Sequence, residues 1–524
     1  MVFRSPYPDV SIPAVSLTDL LFTDLGPHAD RAALVDGVTG QSLSYAELAG
    51  AVDRLAAALA ERGVGKGDTV GILAPNTPYY AVAFHGILRA GAVATTINTL
   101  YTADEVAAQL TDAGAKLLFT VGALAERADA AAAAAGIGEV VTFDPMEGHT
   151  SLAELLATTA PAPEVPIDPA EDLAALPYSS GTTGRSKGVM LTHRNLVANI
   201  VQCNAIFDLR GEDTRVLGVL PFFHIYGMTV IMNHVLAIGG TVVTMPRFDL
   251  EQFCRVIAEY RTNRVYIAPP IAVALAKHPI IDSYDMSAVD IVFSGAAPLD
   301  EELAHAVAGR LGCRVRQGYG MTELSPVSHT IPDDREDIPV GTVGVAIPNM
   351  ECKIVDPATG EELGVGATGE LWCRGPNVMK GYLNNPEATA ATVDADGFLH
   401  TGDLARVDEH GYYTIVDRVK ELIKYKGYQV PPAELEALLL THPGIADVAV
   451  VGVRDADGEE VPKAFVVRQP QAALTADEVM AFVAGRVAPY KKVRQVEFVD
   501  AIPKSASGKI LRKELRARQP VPGR

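Results

Sequence analysis

The segment "YSSGTTGRSKGV", residues 178–189, decides the fold because its loop of small polar residues joins a strand-like run to a helix-like run. It holds three glycines, three serines, two threonines and one lysine. Backbone N–H groups and hydroxyls in such a loop can bind phosphate oxygens, and Lys187 adds a compact positive charge. The spacing differs from the G-x-x-x-x-G-K-[ST] pattern of P-loop proteins. The loop alone therefore leaves phosphate binding and a flexible linker as open alternatives.

Alternating helix and strand patterns surround this loop. Ser44 and Glu47 form a capping pattern before a run of apolar residues at helical spacing, and residues 68–75 follow as a short buried strand. After the loop, Thr192 is a candidate N-cap for the next helix. A second series runs from about residue 216 to residue 331. Such alternation predicts parallel sheets covered by helices.

Two segments depart from this alternation. Residues 161–172 are rich in proline and acidic residues, which is typical of a connector. Residues 342–415 contain short strands with glycine turns, which predict a small antiparallel barrel or sheet. About a hundred residues follow that again mix strands and helices, and they are expected to form a small separate unit.

The composition excludes several classes of protein. The chain has 524 residues, 64 acidic against 44 basic, and a net charge of -20, which argues against a nucleic-acid surface. Its five cysteines are scattered singly, so neither a disulfide framework nor a zinc site is expected. The N-terminus lacks a signal pattern, and no apolar run reaches the ~18 residues of a membrane span. We therefore expect a cytoplasmic protein without stable membrane insertion, whose oligomeric state the sequence leaves open.

Further segments carry a family resemblance. "SSGTTGRSKGV" resembles the signature loop of the adenylate-forming enzymes, which include acyl-CoA synthetases, luciferases and peptide-synthetase adenylation domains. That family usually has proline where this chain has Ser186, and the effect of this difference stays open. The other matching segments follow in the family's order: "LPFFHIYGM" (220–228), "SGAAPL" (294–299), "QGYGMTE" (317–323), "HTGD" (400–403), "DRVKELIKYKGYQVPPAELE" (417–436) and "PKSASGKILR" (503–512). "FFHIYG" and "DRVKELIKYKGYQV" are most similar to 4-coumarate–CoA ligases and their bacterial relatives.

The resemblance implies a reaction in two steps. A carboxylate attacks the α-phosphate of Mg·ATP and gives an acyl adenylate and pyrophosphate. The thiol of CoA then displaces AMP and gives a thioester. ATP and CoA are the implied co-substrates, Mg²⁺ is the implied cofactor, and a 4-coumarate- or cinnamate-like aromatic acid is the expected substrate.

The resemblance also implies the domain layout. Residues 1–418 are expected to form an AMP-binding domain of two α/β sheet subdomains plus a small β-barrel. Residues 419–524 are expected to form a small mobile C-terminal α+β domain. The fold class is thus α/β and α+β multidomain, with the hinge near residues 418–420.

The nucleotide site is assigned by matching motif positions. The residue expected to bind Mg²⁺ is Glu323, although a Thr-Glu pair by itself is more typical of a helix cap or an exposed surface. Asp403 and Arg418 match contacts to the ribose hydroxyls. The expected ATP- and AMP-binding residues are Ser179, Ser180, Gly181, Thr182, Thr183, Lys187, Ala296, Gln317, Gly318, Tyr319, Thr322, Asp403, Arg418 and Lys420.

The acyl group is expected beside His224. A histidine between aromatic residues is most often a packed core residue, but this position lines the acyl pocket in the family and is implicated in catalysis. Apolar walls with glycine floors suit a flat aromatic acid, and a medium-chain fatty acid also fits. The expected acyl-pocket residues are Phe223, Tyr226, Gly295, Gly320, Pro326 and Val327.

Lysines recur in the last fifth of the chain. By themselves they are typical of a solvated basic surface. The resemblance assigns Lys420 to the hinge, Lys424 and Gln429 to catalysis near the adenylate, and Lys509 to adenylation. The expected CoA-binding residues are Arg247, Lys426 and Gly427.

Other functions stay open at this stage. The nearest rival is a medium- or long-chain fatty acyl-CoA synthetase. An adenylation enzyme that loads a carrier-protein thiol, a luciferase-like oxygenase and a non-catalytic nucleotide-binding protein are further alternatives. The presence of Lys509 argues against the last of these.

Overall fold

Three sheets organise most of the chain, which the computed structural model describes over residues 1–179, 186–209, 211–425, 428–455, 460–470, 472–505 and 508–518. Two of the sheets are largely parallel and the third is antiparallel. This arrangement confirms the α/β and α+β multidomain class predicted from the sequence. No helix in these described ranges is both long enough and apolar enough to cross a membrane.

The first sheet surrounds the segment with which the sequence analysis began. The strand Tyr178–Ser179 pairs antiparallel with Lys187–Thr192, and the helix His193–Asn204 starts directly afterwards with Thr192 as its N-cap. A strand therefore separates the loop from the helix, whereas the sequence analysis placed the helix directly after the loop. The described strands of this sheet, in spatial order, are Tyr178–Ser179, Lys187–Thr192, Leu173–Ala175, Val93–Thr96, Thr69–Leu73, Ala115–Thr120, Val140–Thr142 and Thr150–Ser151, with Gly381–Tyr382 also paired to Lys187–Thr192.

The second sheet positions most of the candidate site. Its parallel strands end at one common edge, as in other α/β sheets whose ligands bind outside the carboxyl ends of the strands. Its described strands, in spatial order, are Val345–Ala346, Val327–Thr330, Arg314–Gly320, Ile291–Ser294, Arg264–Ile267, Arg215–Gly218, Thr241–Thr244, Ala32–Asp36 and Ser42–Ser44.

The third sheet is open. Its first and last described strands, Phe3–Arg4 and Tyr413–Arg418, each pair on one side only, so the pairing does not close on itself. The small β-barrel expected in the large domain is therefore an open antiparallel sheet among the described residues. Its described strands, in spatial order, are Phe3–Arg4, Glu351–Val355, Thr368–Arg374, Leu399–Val407 and Tyr413–Arg418, with Glu362–Leu363 paired to Glu351–Val355.

The C-terminal residues form smaller sheets. A hairpin joins Ile423–Tyr425 to Tyr428–Val430. The strand Glu460–Arg468 lies between Ile445–Arg454, which is antiparallel to it, and Gln495–Phe498, which is parallel to it. We call these three strands the C-terminal sheet.

Helices cover the sheets, and several of them begin where a side-chain cap satisfies free backbone N–H groups. The capping box predicted from Ser44 and Glu47 is confirmed, since both reciprocal bonds are present at the start of Tyr45–Glu61. The described α-helices are Leu17–Phe22, Tyr45–Glu61, Pro78–Arg89, Ala103–Asp112, Ala125–Ala135, Leu152–Leu155, His193–Asn204, His234–Ala237, Leu250–Tyr260, Pro269–Lys277, Glu301–Leu311, Pro386–Thr392, Pro432–Leu440, Ala476–Ala484 and Arg512–Ala517. A π-helix spans Tyr226–Asn233, and 3₁₀-helices span Gly26–His28, Gly122–Leu124, Pro279–Ser283, Thr322–Leu324 and Pro489–Lys491.

The buried apolar residues divide into separate clusters along the chain. The largest cluster joins all three sheets and extends from Leu17 to Tyr413. Two others draw only on residues 423–515 and cover the two faces of the C-terminal sheet. The C-terminal residues thus bury a core of their own beyond the last strand of the third sheet.

Candidate active site

An aromatic pocket opens at the carboxyl edge of the second sheet. It follows the strands Ile291–Ser294 and Arg314–Gly320, at the edge where ligands bind in α/β sheets. The lining residues are Phe207, His224, Ile225, Tyr226, Val230, Phe293, Gly295, Ala296, Gly318, Tyr319, Gly320, Met321, Thr322, Pro326, Val327 and Lys509. Most of these side chains are apolar, so the two basic groups His224 and Lys509 stand out.

His224 is held as a neutral imidazole. Its Nδ1 accepts a hydrogen bond from the backbone N–H of Tyr226 at 3.3 Å, which leaves the proton of the neutral ring on Nε2. Burial, together with the charge of Lys509, lowers the pKa of His224 to about 3. The ring can therefore donate a hydrogen bond without carrying a charge at neutral pH.

Lys509 reaches the pocket from the C-terminal part of the chain. It follows Gly508, which adopts a left-handed conformation with φ of 84°, and the backbone N–H of Lys509 donates to Ser505 Oγ at 3.1 Å. Burial and the charge of Arg418 lower the pKa of Lys509, while the carboxylates of Asp403 and Glu323 oppose that shift. A cation is thus placed between two carboxylates and an apolar wall.

The buried Asp403 and the partly exposed Arg418 form a polar group beside the pocket. Asp403 Oδ2 accepts a hydrogen bond from the hydroxyl of Tyr319 at 2.6 Å, and Arg418 Nε lies 3.1 Å from Asp403 Oδ1. These residues come from paired strands, in which Asp403 is opposite Arg418. The carboxylate also raises the pKa of Arg418. A carboxylate and a guanidinium group therefore lie next to Tyr319, which lines the pocket.

A second polar group lies next to the first sheet. Glu323 Oε1 accepts hydrogen bonds from Ser179 Oγ at 3.1 Å and from the hydroxyl of Tyr382 at 2.9 Å. Lys187 Nζ lies 4.6 Å from the centre of the Tyr382 ring. The buried carboxylate is thus fixed at the base of the segment with which the sequence analysis began.

The remaining nucleotide candidates form the wall between these two groups. Gly318, Thr322 and Ala296 line the pocket, and Ala296 adopts a left-handed backbone with φ of 71°. Gln317 is buried and its amide is engaged by backbone groups: it accepts from Leu299 N–H at 2.9 Å and donates to the carbonyls of Leu299 and Val340. Its side chain supports the wall.

The two pocket glycines, Gly295 and Gly320, make room for neighbouring protein atoms. A Cβ at Gly295 would lie 2.7 Å from the Tyr226 ring, and a Cβ at Gly320 would overlap the carbonyl of Pro326. The sequence analysis treated both as open floors beneath a ring. Gly320 instead permits close approach of two backbone segments, whereas Gly295 permits close packing of a side chain.

The other acyl-pocket candidates are divided between pocket and core. Tyr226, Pro326 and Val327 line the pocket. Phe223 is adjacent to His224 in the chain but packs in the main hydrophobic core, and its carbonyl accepts from Thr96 Oγ1 at 2.8 Å.

Several candidates lie away from the pocket or outside the described residues. Arg247, Lys420 and Lys424 are exposed to solvent. The backbone N–H of Lys424 donates to Glu460 Oε2 at 2.9 Å, within the C-terminal part of the chain. The candidates Ser180, Gly181, Thr182, Thr183, Lys426 and Gly427, and the side chain of Gln429, lie outside the described part of the structure.

The pocket also contains residues that sequence reasoning missed. Ile225, Phe293 and Met321 fall inside or directly beside matched segments, so their position in the sequence could have pointed to the pocket. Phe207 and Val230, like Tyr382 at Glu323, lie outside every matched segment, so only the folded chain brings them to the site.

A stacked ring pair adjoins the strand of Asp403. Trp372, the single tryptophan of the sequence, stacks on His400 with ring centres 3.6 Å apart and an interplanar angle of 11°. The two residues face each other on neighbouring strands of the third sheet, and His400 precedes Asp403 by three positions.

Comparisons with known proteins agree with this geometry. A model of the AMP-binding enzymes matches residues 22–383, and a model of the AMP-binding enzyme C-terminal domain matches residues 434–509. The chain is 46% identical to 4-coumarate–CoA ligase 5 of Oryza sativa subsp. japonica over 99% of this chain and 97% of that protein.

Solved structures share the fold at nearly full length. ATP-bound MatB from Rhodopseudomonas palustris is similar with a TM-score of 0.87 and 33% identity, covering 96% of this chain and 99% of that one. The anthranilate CoA ligase AuaEII in complex with anthranoyl-AMP has a TM-score of 0.89 and 26% identity, with 97% and 98% covered. With both family models matched in order along its length, the chain belongs to the AMP-binding enzymes.

Proposed function

We propose that this protein is an ATP-dependent acid–CoA ligase that forms an acyl adenylate and then a thioester, with aromatic acids of the 4-coumarate type as substrates. One observation carries the proposal. Lys509 and a neutral His224 lie at one end of an aromatic pocket, beside the polar groups of Asp403 and Glu323. A 46% identical relative is a 4-coumarate–CoA ligase, which supports the same reaction here.

The first half-reaction needs positive charge between two anions. The substrate carboxylate must approach the α-phosphate of ATP, and fixed donors lower the barrier by meeting the charge that develops there. Lys509 supplies an ammonium group at this end of the pocket, and His224 offers its Nε2–H without adding a charge. Asp403 and Arg418 hold the ribose, while Ser179, Lys187 and the loop between them hold the leaving phosphates.

Glu323 is the proposed magnesium ligand. A magnesium ion commonly uses one or two carboxylates together with substrate phosphates and water, and when bound it neutralises and orients the phosphates. The carboxylate of Glu323 fits that use because its Oε1 is fixed by two hydroxyls, and the ring of one of these donors, Tyr382, also contacts Lys187. No group of three or more metal-binding side chains occurs in the described residues. We therefore propose that Glu323 and the phosphates of the substrate hold the ion together.

The acyl group is proposed to lie against the aromatic wall. Phe293 and Tyr226 face the pocket, and their rings favour edge or offset contact with a planar acid. The neighbouring walls of Pro326, Val327 and Val230 are apolar. A hydroxycinnamate therefore buries its ring here while its carboxylate reaches Lys509.

The second half-reaction is assigned to a different arrangement of the C-terminal residues. Lys509 lies at the pocket, whereas Lys424 is exposed on the strand Ile423–Tyr425. We assign CoA to Arg247, Lys426 and Gly427, and this assignment requires rotation of the C-terminal residues. Residues 1–418 and 419–524 are the proposed domains, and the separate C-terminal core supports this division.

A coupled assay tests the function. Purified protein with ATP, Mg²⁺ and 4-coumarate should release pyrophosphate, and added CoA should give 4-coumaroyl-CoA. Pyrophosphate release without a thioester would point to loading of another thiol. Thioester formation with octanoate but not with 4-coumarate would instead make the enzyme a fatty acyl-CoA synthetase. No pyrophosphate with either acid would contradict the proposal.

A further inference from the structure

One buried carboxylate connects the parts of the chain on either side of the proposed hinge. Asp417 lies on the strand Tyr413–Arg418 of the third sheet and is 6% exposed. Its Oδ1 accepts a hydrogen bond from Arg418 N–H at 2.7 Å, and its Oδ2 accepts one from Ala433 N–H at 3.0 Å. Ala433 belongs to the helix Pro432–Leu440, which lies beyond the hinge in the chain. The second hydrogen bond therefore crosses the hinge.

The start of this helix has no side-chain cap of its own. Pro431 at the cap position offers no acceptor, and Pro432 has no N–H. The carboxylate of Asp417 takes the place of a cap, because it accepts from Ala433 N–H and meets the positive end of the helix dipole. Burial raises the pKa of Asp417, while its two N–H donors and the charge of Arg512 oppose that shift. Loss of the carboxylate would leave this helix start without its acceptor.

The same helix holds the segment that carries Lys509. Glu436, one turn further along the helix, accepts a hydrogen bond on Oε2 from Arg512 Nη2 at 2.5 Å. Its Oε1 accepts from Val450 N–H of the C-terminal sheet at 2.8 Å. Arg512 follows Lys509 by three residues. A series of polar contacts thus leads from Asp417, through the helix, to the segment of the pocket lysine.

We propose that Asp417 is a positioning residue for adenylation, which holds the C-terminal residues in the arrangement that places Lys509 in the pocket. The inference rests on the proposed function and its two arrangements. Rotation about the hinge moves Ala433 with the C-terminal residues and leaves Asp417 on the third sheet. The hydrogen bond between them is therefore broken in the second arrangement. It favours adenylate formation and contributes nothing to thioester formation.

The two half-reactions, measured separately, test this role. In Asp417→Ala, kcat for pyrophosphate release with 4-coumarate should fall about tenfold, the effect of one lost hydrogen bond to a charged group. The KM for 4-coumarate should stay unchanged, because Asp417 does not line the pocket. With preformed 4-coumaroyl adenylate and CoA, thioester formation should not become slower. A merely structural role would slow both half-reactions.

Two further variants provide the controls. Asp408 Oδ1 also accepts from two backbone N–H groups, those of His410 at 2.9 Å and Tyr412 at 2.8 Å, but both lie in its own turn. Asp408→Ala should therefore leave the ratio of the two half-reaction rates unchanged. Asp417→Asn keeps the shape and one acceptor oxygen, so its adenylation rate should lie between those of the unchanged protein and Asp417→Ala. This variant serves the same comparison if Asp417→Ala melts at a much lower temperature.

A double variant tests whether Asp417 acts through Lys509. If it does, Asp417→Ala should cause no further loss of pyrophosphate release in a protein that already carries Lys509→Ala. The same loss in both backgrounds would overturn the positioning role, because Asp417 would then act independently of the lysine.

The outcomes distinguish this inference from the function on which it rests. If the unchanged protein releases no pyrophosphate, the proposed function fails. If it is active and the folded variant, Asp417→Ala or Asp417→Asn, slows both half-reactions equally or slows neither, the role of Asp417 is overturned.

Discussion

At the scale of single residues, Lys509 and His224 make different contributions to the proposed site. The lysine brings a positive charge into an apolar wall, and the histidine brings a hydrogen-bond donor that stays neutral because its pKa is about 3. A lysine and a histidine side by side would repel each other if both carried a positive charge. The burial of His224 removes that conflict.

We predict that Lys509→Ala lowers the rate of adenylate formation by about a hundredfold, as expected for removal of one preorganised charged donor. With preformed acyl adenylate and CoA, the same variant should form thioester at a normal rate. Pyrophosphate release and thioester formation measured separately check this. Lys513→Ala, which removes an exposed lysine nearby, should change neither rate.

The pH profile gives a second test of the same residue. Burial lowers the pKa of Lys509, so adenylate formation should decline towards alkaline pH earlier than an ordinary lysine would require. The charged form is the active one, and its loss removes the attraction for the two anions. This alkaline decline should be absent from Lys509→Ala. A variant that keeps the decline would assign it to another group.

At the scale of elements, the turn between the strands Arg314–Gly320 and Val327–Thr330 fixes one side of the pocket. Gly320 is opposite Val327 in this pair, and Met321 N–H donates to the Pro326 carbonyl at 3.1 Å. The close approach of backbone to backbone leaves no space for a Cβ at residue 320. At the other pocket glycine, Gly295, the three atoms nearest to an added Cβ all belong to the Tyr226 side chain.

We predict different outcomes for alanine at these two glycines. Gly295→Ala should raise the KM for aromatic acids about tenfold and leave the KM for ATP unchanged, because one ring must shift by a fraction of an ångström. Gly320→Ala should lower the melting temperature and impair both substrates, because backbone atoms must move. Melting curves and the two KM values check this. Equal stability of the two variants would contradict it.

The same glycines mark what sequence reasoning could and could not provide. Motif positions predicted that Gly295, Gly320, His224 and Lys509 come together, since those positions are local and specific. The steric reason for Gly320 depends on Pro326 across a turn, and the position of Phe207 in the pocket wall depends on packing between distant segments. The sequence predicted a small antiparallel barrel or sheet for residues 342–415, and most of their described strands belong to an open sheet. Short strands with glycine turns do not specify whether the first and last strands of a sheet meet.

At the scale of the whole molecule, one pocket must serve two reactions. Lys509 occupies the pocket, while Lys424 on the strand Ile423–Tyr425 is exposed to solvent. Both belong to the C-terminal part of the chain, so they cannot exchange places without rotation of that part. The exposed Lys420 lies between this part and the last strand of the third sheet, Tyr413–Arg418.

We predict that Lys420→Pro slows thioester formation about tenfold, or ~1.4 kcal/mol in the barrier, and keeps pyrophosphate release near normal. Proline fixes φ at the hinge and restricts rotation, while the exposed side chain contributes little packing. Lys420→Ala, which keeps the backbone free, is the matched control. The two half-reactions are measured separately for each variant. Equal loss of both in a folded Lys420→Pro protein would argue for a single fixed arrangement.

Buried histidines make the whole molecule sensitive to acid. His85, His193 and His234 are at most 1% exposed, and burial lowers their pKa values from 6.5 to about 3, 4 and 3. Below pH 6.5 these three histidines bind protons in the unfolded chain but stay neutral in the folded chain. The free energy of unfolding should therefore fall between pH 6.5 and 5.5, by about 1 kcal/mol for each histidine.

Urea unfolding at several pH values checks this acid sensitivity. His234→Leu should reduce the pH dependence by about the share of one histidine, because the ring forms no hydrogen bond among the described residues that would be lost. The unchanged protein provides the reference slope. An equal slope in the variant would show that His234 is charged in the folded state or that other groups dominate.

The stacked pair of Trp372 and His400 gives the molecule a natural optical probe. As the single tryptophan of the sequence, Trp372 accounts for the indole emission of the protein, and its ring lies in face-to-face contact with His400. Indole fluorescence is sensitive to a ring in direct contact with it. The brightness of this one residue therefore reports whether the contact between the two strands is intact, two strands from the proposed hinge, without any added label.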